Sequence, residues 1–141
     1  MANKIQQRSS YIFLLLLATF FPLAYGDVGT AAHYSPPYVP SACNGEDLGQ
    51  FPANNLFAAA GDGIWNNGAS CGREYIVRCI SADVPSTCFP DKIITVKIVD
   101  YAESSVSKPS SSGATIVLSE AAFRQIGQLS ASQVNVEFQL N

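Results

Sequence analysis

The stretch DGIWNNGASCGREYIVRC, from Asp62 to Cys79, decides the fold because it joins a chain reversal to the start of a strand. It holds the single tryptophan of the chain, Trp65, together with two of the four cysteines. The Asn-Asn-Gly triplet after Trp65 is typical of a turn. Beyond it, Glu74–Ser81 alternates apolar and polar residues and predicts a strand whose inner face carries Tyr75, Val77 and Cys79. The stretch is therefore either a binding pocket or a structural clamp.

The N-terminus has the features of a secretory signal peptide. Lys4 and Arg8 form a positive region, and an apolar run of signal-peptide length follows. The small residues Ala24 and Gly26 predict cleavage before Asp27, which makes residues 1–26 the signal peptide and residues 27–141 the mature domain. A signal anchor that stays in the membrane is the alternative, and the short run disfavours it.

The predicted mature domain is acidic. The whole chain has a formal net charge of −3, and removal of Lys4 and Arg8 leaves −5. This charge argues against nucleic acid or an anionic membrane surface as a partner. It favours a neutral polysaccharide or a protein receptor in the extracellular space, with no membrane insertion after cleavage.

All four cysteines lie in the mature part, and an even count in a secreted chain predicts a disulfide framework. Three pairings are open on spacing alone. A zinc site is disfavoured because the chain has one histidine, His33, and no C-x-x-C pair. A paired sulfur is not a thiolate, so a cysteine nucleophile is also disfavoured. We expect neither a metal nor a cofactor.

The mature chain is mostly of strand character. Lys92–Asp100 is rich in β-branched residues and predicts a central strand buried on both faces. Ser119 is a predicted N-cap for a helix over Glu120–Ile126, which Gly127 ends. The serine-rich segment Tyr101–Gly113 predicts a loop. The remaining predicted strands cover residues 28–34, 56–60, 115–118 and 134–140, the last with Val134, Val136, Phe138 and Leu140 facing inward. Such short strands predict a small closed β-barrel with one or two short helices.

The order of several motifs resembles one plant family throughout the mature chain. The motifs are GTAAHYSPPYVPSACNG, IWNNGASCGREYIVRC, ITVKIVD and TIVLSEAAFRQIG. They are similar to the plant natriuretic peptides and blight-associated proteins, which are lone expansin-like domains related to family 45 endoglucanases. The resemblance implies a six-stranded double-psi β-barrel over residues 27–141. It also implies that Cys43 pairs with Cys71, and Cys79 with Cys88.

The chain departs from this family at its chemically important positions. Relatives place an acidic residue where Val117 stands, and a threonine where Ala32 stands. Valine cannot donate a proton or bond a sugar hydroxyl. The resemblance therefore implies a protein that is not an enzyme. Relatives also carry two further cysteines, one at the position of Ala102 in the stretch Val99–Ala102 and one after it, and both are absent here.

Five residues are candidates for a binding surface, and four of them have a plainer alternative. Tyr34 and Tyr38 either stack on sugar rings or pack the proline-rich loop. Trp65 is either a sugar platform or a packing residue, and with Arg73 it is also a candidate for recognition by a receptor. Asp100 is either a groove carboxylate or an acceptor for loop amides, and the second is favoured.

The resemblance implies a secreted, non-catalytic, monomeric signalling protein of the apoplast, with a role in water and solute homeostasis. Its receptor-binding stretch corresponds to Pro36–Arg73. The alternatives are a non-hydrolytic cell-wall polysaccharide-binding or wall-loosening module, and a barwin-like defence protein. The wall module is disfavoured relative to the signalling function, because expansins carry a second, aromatic-rich binding domain in addition to the expansin-like domain expected here.

Overall fold

A computed structural model describes residues 26–141, so the predicted signal peptide lies outside the described residues except for Gly26. Six strands follow in chain order: β1 Asp27–Tyr34, β2 Phe57–Ala60, β3 Glu74–Ser81, β4 Ile93–Tyr101, β5 Ile116–Ser119 and β6 Gln133–Leu140. Three short helices accompany them: α1 Asp62–Trp65, α2 Lys108–Ser111 and α3 Glu120–Ile126. Single 3-10 turns lie at Leu48–Gln50 and Asn66–Gly68.

The strands close into one barrel in the order β1-β5-β2-β4-β3-β6, which confirms the predicted closed barrel. β1 pairs with β5 and β2 with β4 in parallel, and the other four neighbouring pairs are antiparallel. Closure leaves no free sheet edge, which is how a small β-domain avoids pairing with other chains.

The sequence predicted that strand β4 is buried on both faces along its whole length, and this prediction was wrong. Its first half alternates, and Ile93 is 65% exposed. Both faces are buried only over Ile98–Asp100. The side chain of Leu140, predicted to face inward, is also exposed because β6 runs past the end of the barrel core. The inward positions Tyr75, Val77 and Cys79 of β3 are confirmed as buried.

The buried apolar side chains form two clusters. The larger, which we call the inner core, fills the barrel and includes Val77, Val96 and Phe123. The second, which we call the outer cluster, contains residues of β1, β2, β4 and β5 and the segment that follows β4: Ala32, Tyr34, Phe57, Ala59, Val99, Ala102, Ala114 and Val117. Because alternate residues of a strand point to opposite faces, consecutive residues such as Val117 and Leu118 belong to different clusters.

Helix α3 is built as its sequence predicts. The Ser119 hydroxyl accepts a hydrogen bond from the Ala122 amide, and Ala122, Phe123 and Ile126 are buried. Gly127 ends the helix, but its backbone is extended, with φ −169°. A side chain there would lie 2.6 Å from the Thr87 carbonyl oxygen, so glycine is required for close approach and not for a left-handed turn.

Both disulfides join the cysteines that the resemblance implied. Cys43 bonds Cys71, 28 residues apart, and Cys79 bonds Cys88, 9 residues apart. The first ties the loop after β1 to the turn that precedes β3. The stretch from Asp62 to Cys79 therefore acts as a clamp.

The barrel carries few short helices, as predicted, and one of them, Asp62–Trp65, closes a helical turn between its two turn signals. The prediction of a loop for the serine-rich segment was wrong. The serine-rich segment contains α2, with Pro109 in its first turn and Ser107 fully buried. Its serines take part in the fold through hydrogen bonds that composition alone does not indicate.

Candidate functional site

Asp100, near the end of β4, is completely buried and holds two loops together. Its Oδ1 accepts hydrogen bonds from the amides of Ala42 at 2.7 Å and Tyr101 at 2.8 Å. Its Oδ2 accepts the Ser104 hydroxyl at 2.7 Å. The carboxylate therefore links the Cys43 loop to the segment after β4, which matches the second sequence interpretation of this residue.

Burial sets the electrostatics of Asp100. Loss of hydration raises the pKa of its carboxyl above the ordinary value, while the hydrogen bonds from Ala42, Ser104 and Tyr101 oppose that rise. With both oxygens occupied, the group is placed as a structural acceptor.

Tyr34 and Tyr38 belong to a packed aromatic group beside the outer cluster. Their rings meet edge to face with centroids 4.9 Å apart, and Tyr38 packs against Phe57 at 4.7 Å. The Tyr38 hydroxyl donates to the Tyr34 carbonyl and accepts from the Glu120 amide. These contacts correspond to packing of the proline-rich loop.

The Tyr34 hydroxyl is an exception among the buried polar groups. The residue is 1% exposed, and within residues 26–141 this oxygen has no hydrogen-bond partner. Burial and the nearby Asp100 carboxylate raise the pKa of Tyr34, so the phenol stays protonated.

Replacing Tyr34 with phenylalanine is expected to leave stability unchanged or raise it by up to about 1 kcal/mol, because it removes a buried hydroxyl without a partner. Urea unfolding of the two proteins measures the difference. Tyr34→Ala is the matched control, and it should lower the free energy of unfolding by about 3–5 kcal/mol because it also removes the buried ring. A clear loss of stability in Tyr34→Phe would mean that the hydroxyl is bonded in the folded protein.

Val117 and Ala32, the positions that the resemblance assigns to an acid and a threonine, lie in the outer cluster. Val117 is 0% exposed and Ala32 is 2% exposed. They pack with Phe57, Val99 and other apolar side chains. Both positions are therefore buried and apolar in this chain.

Trp65 takes part in an aromatic pair that sequence inspection did not find. It stacks on Tyr101 with ring centroids 4.7 Å apart and an interplanar angle of 18°. The Tyr101 hydroxyl donates to the Asp62 carboxylate. Trp65 and Tyr101 are both partly exposed, although Trp65 also packs against the inner core. Tyr101 is the last residue of β4, and its distance in sequence from Trp65 concealed the pair.

The five residues predicted to form one binding surface are not brought together on an open face. Tyr34 and Asp100 are buried, so their assignment to an exposed surface was wrong. The structure places both beneath loops that their own contacts hold in position. Tyr38, Trp65 and Arg73 are partly exposed, and no hydrogen bond or aromatic contact joins any two of these three within residues 26–141.

His33 is fixed by two contacts. Its Nε2 bonds the Ala131 carbonyl at 3.0 Å, and its ring meets the edge of Phe123 at 4.6 Å. No group of three or more metal-ligating side chains occurs within residues 26–141. Among the same residues, no helix is both long and apolar enough to cross a membrane.

Relatives of this chain were found among family models, individual protein sequences and solved structures. A family model described as lytic transglycolase matches residues 58–138. An EG45-like domain-containing protein of Citrus jambhiri is 42% identical over 117 residues, which cover 82% of each chain. EG45-like domain-containing protein 2 of Arabidopsis thaliana is 32% identical over 90% of this chain and 88% of its own length.

Solved structures with the same fold include an expansin of Clavibacter michiganensis, crystallised as a mutant in complex with cellohexaose. It superposes with a TM-score of 0.60 at 20% identity, covering 81% of this chain and 49% of the expansin. The present chain thus spans about half the length of that protein. The match confirms the predicted double-psi β-barrel.

Proposed function

Because the chain belongs to the family of EG45-like domain-containing proteins, we propose that it is an extracellular, non-hydrolytic protein that binds plant cell-wall polysaccharide. The observation that carries the proposal is the apolar, covered outer cluster at Val117 and Ala32. A site filled in this way has lost the polar groups that hydrolysis requires, while the barrel that carried them is intact.

The chemistry of glycoside hydrolysis supports the non-hydrolytic part of the proposal. Inverting enzymes need two carboxyl groups about 6.5–9.5 Å apart, one as acid and one as base. Val117 cannot serve as the acid. Asp100 is fully buried, and its two oxygens accept three hydrogen bonds from the protein. Neither residue is placed to move a proton to or from a substrate.

The stacked pair of Trp65 and Tyr101 supports the binding part. Partly exposed aromatic rings provide flat apolar faces on which sugar rings pack, and Asp62 beside them offers a hydrogen-bond acceptor. The acidic predicted domain suits a neutral ligand. The expansin that shares this fold over about half of its length was crystallised in complex with cellohexaose, which makes a glucan the first ligand to test.

Replacing Trp65 with alanine is expected to weaken binding to insoluble cellulose or xyloglucan by about fivefold, since one aromatic contact contributes roughly 0.5–1.5 kcal/mol. Sedimentation of purified, disulfide-bonded protein with each polysaccharide measures the bound fraction. Trp65→Phe is the matched control, because it keeps an aromatic face, and it should retain most of the binding.

The same incubations test hydrolysis. Release of reducing ends by the wild-type protein would contradict the proposal, and so would equal binding by Trp65→Ala and the wild type. A protein that binds neither polysaccharide would also contradict it.

A second candidate function is receptor signalling from the apoplast, with effects on water and solute balance. It is favoured by the stretch Pro36–Arg73, which carries the Cys43–Cys71 disulfide and many exposed side chains. A braced, exposed loop is a suitable surface for a protein receptor. Volume or ion-flux responses of plant protoplasts to monomeric protein, without polysaccharide binding, would favour signalling.

A further inference from the structure

A cavity of about 250 Å³ with a mixed polar and apolar lining lies between α2, β1 and the start of β6. It is lined by Ala32, His33, Pro109, Ser110, Ser112, Ser132 and Gln133. It shares no lining residue with the Trp65–Tyr101 pair. Pro109, Ser110 and Ser112 belong to the serine-rich segment. In the family that the sequence resembles, this part of the chain carries the extra cysteines that are absent here.

The serines of this segment fall into two groups. Ser104, Ser107 and Ser111 use their hydroxyls inside the fold, bonding Asp100, the Tyr101 carbonyl and the Lys108 carbonyl. By contrast, Ser110 is half-buried and Ser112, Ser132 and Gln133 are exposed, and all four line the cavity. The cavity therefore presents donors and acceptors that a ligand can reach.

Two lining residues are held in place by the backbone or by neighbours. Ser112 has a left-handed backbone, with φ 41°, where glycine is the usual residue. A hydroxyl-bearing residue stands there despite the conformational cost. His33 is fixed through Nε2 at the Ala131 carbonyl, which in the neutral ring leaves Nδ1 as an acceptor.

We propose that this cavity binds a single neutral sugar ring of the wall, as a second subsite. The lining combines hydroxyls, an amide and an imidazole with the apolar ring of Pro109, which matches the polar edges and C–H face of a pyranose. No lysine, arginine, aspartate or glutamate is among the lining residues, which disfavours an anion or a cation as the ligand. The volume is below the ~300–1,000 Å³ of pockets for drug-sized ligands, so the cavity suits one ring. The proposal rests on the proposed polysaccharide binding and specifies the chemical class of its ligand.

Saturation-transfer NMR with methyl glucoside, methyl xyloside and methyl galactoside tests the site, with galacturonate as the anionic probe. At least one neutral glycoside should bind with a Kd on the order of 1 mM, as expected for so small a ligand. Gln133→Leu should weaken that binding about tenfold by removing the amide contacts. Gln139→Leu, an exposed glutamine of the same strand outside the cavity, is the matched control and should bind as the wild type does. Ser110→Leu, which fills the cavity, is the second variant and should abolish binding.

Absence of binding by every neutral glycoside would overturn the proposal, as would tighter binding of galacturonate. Wild-type affinity in both Gln133→Leu and Ser110→Leu would also overturn it. Sedimentation with cellulose and xyloglucan in parallel separates the two levels. A wild-type protein that binds polysaccharide but no neutral glycoside refutes the subsite and leaves the proposed function intact. If the wild-type protein binds neither polysaccharide, the proposed function itself is refuted.

Discussion

Replacement of Asp100 with alanine is expected to lower the free energy of unfolding by about 3–5 kcal/mol, because it leaves buried donors without an acceptor at roughly 1–3 kcal/mol each. The Ala42 and Tyr101 amides lose their partner, and the Ser104 hydroxyl loses one of its three hydrogen bonds. The loop around Cys43 then loses its polar link to β4. Chemical unfolding followed by far-UV circular dichroism measures the change, and a loss below about 1 kcal/mol would contradict it.

Asp100→Asn is the matched variant. The amide oxygen still accepts from the two backbone groups, and the amide nitrogen can donate to the Ser104 hydroxyl. We therefore expect nearly wild-type stability at neutral pH.

The pH dependence of the pair gives a second test. Since the folded pKa of Asp100 lies above its unfolded value, the folded state binds the proton more tightly. The wild type should lose stability relative to Asp100→Asn as pH rises from the unfolded pKa of about 3.9 through the folded pKa. A wild type that gains relative stability over this rise would mean that the hydrogen bonds outweigh burial.

Removal of the Cys43–Cys71 disulfide, as the double alanine variant, is expected to cost about 3.5 kcal/mol. The estimate follows from the loop it closes, with a sequence separation of 28, in the chain-entropy description. Guanidinium unfolding of oxidised proteins measures the loss. Wild type and variant should have similar stability after reduction of both under conditions that open this bond. A loss under about 1 kcal/mol in the oxidised comparison would show that the loop is held by other contacts.

Combining the double alanine variant with Asp100→Ala tests whether the disulfide and the Asp100 hydrogen bonds stabilise the loop around Cys43 independently. Ala42, whose amide bonds Asp100, directly precedes Cys43. Changes that act on a shared segment are not additive. The triple variant should therefore lose less stability than the sum of the separate losses, and full additivity would indicate independent roles.

Much of the barrel was predictable from local pattern because inward and outward residues alternate in most strands. Glu74–Ser81 and Glu120–Ile126 were predicted with the bounds that the structure has. The disulfide pairing came from the resemblance and not from spacing. The predicted burial of Leu140 and of the first half of β4 was wrong because burial at strand ends depends on where the barrel core stops.

The candidate site was less predictable because its residues meet only in three dimensions. Nothing near Trp65 in sequence indicates that Tyr101 covers its ring. Composition also cannot separate Ser107, which is buried and bonded, from Ser110, which lines a cavity. Tyr34 is buried because loops fold back over β1. The motif around Tyr34 does not indicate that these loops will cover it.

The pairing of β1 with both β5 and β6 has a consequence for the order in which the chain folds. Ala31 is paired with Ile116 on one side and Val134 on the other, so the first strand of the described chain has no barrel partner until the last two strands exist. Contacts so distant in sequence carry a large loop-closure entropy and are associated with slow folding. During synthesis, the barrel can close only after nearly the whole domain has left the ribosome, whereas the cysteines at 79 and 88 are near enough to meet well before then.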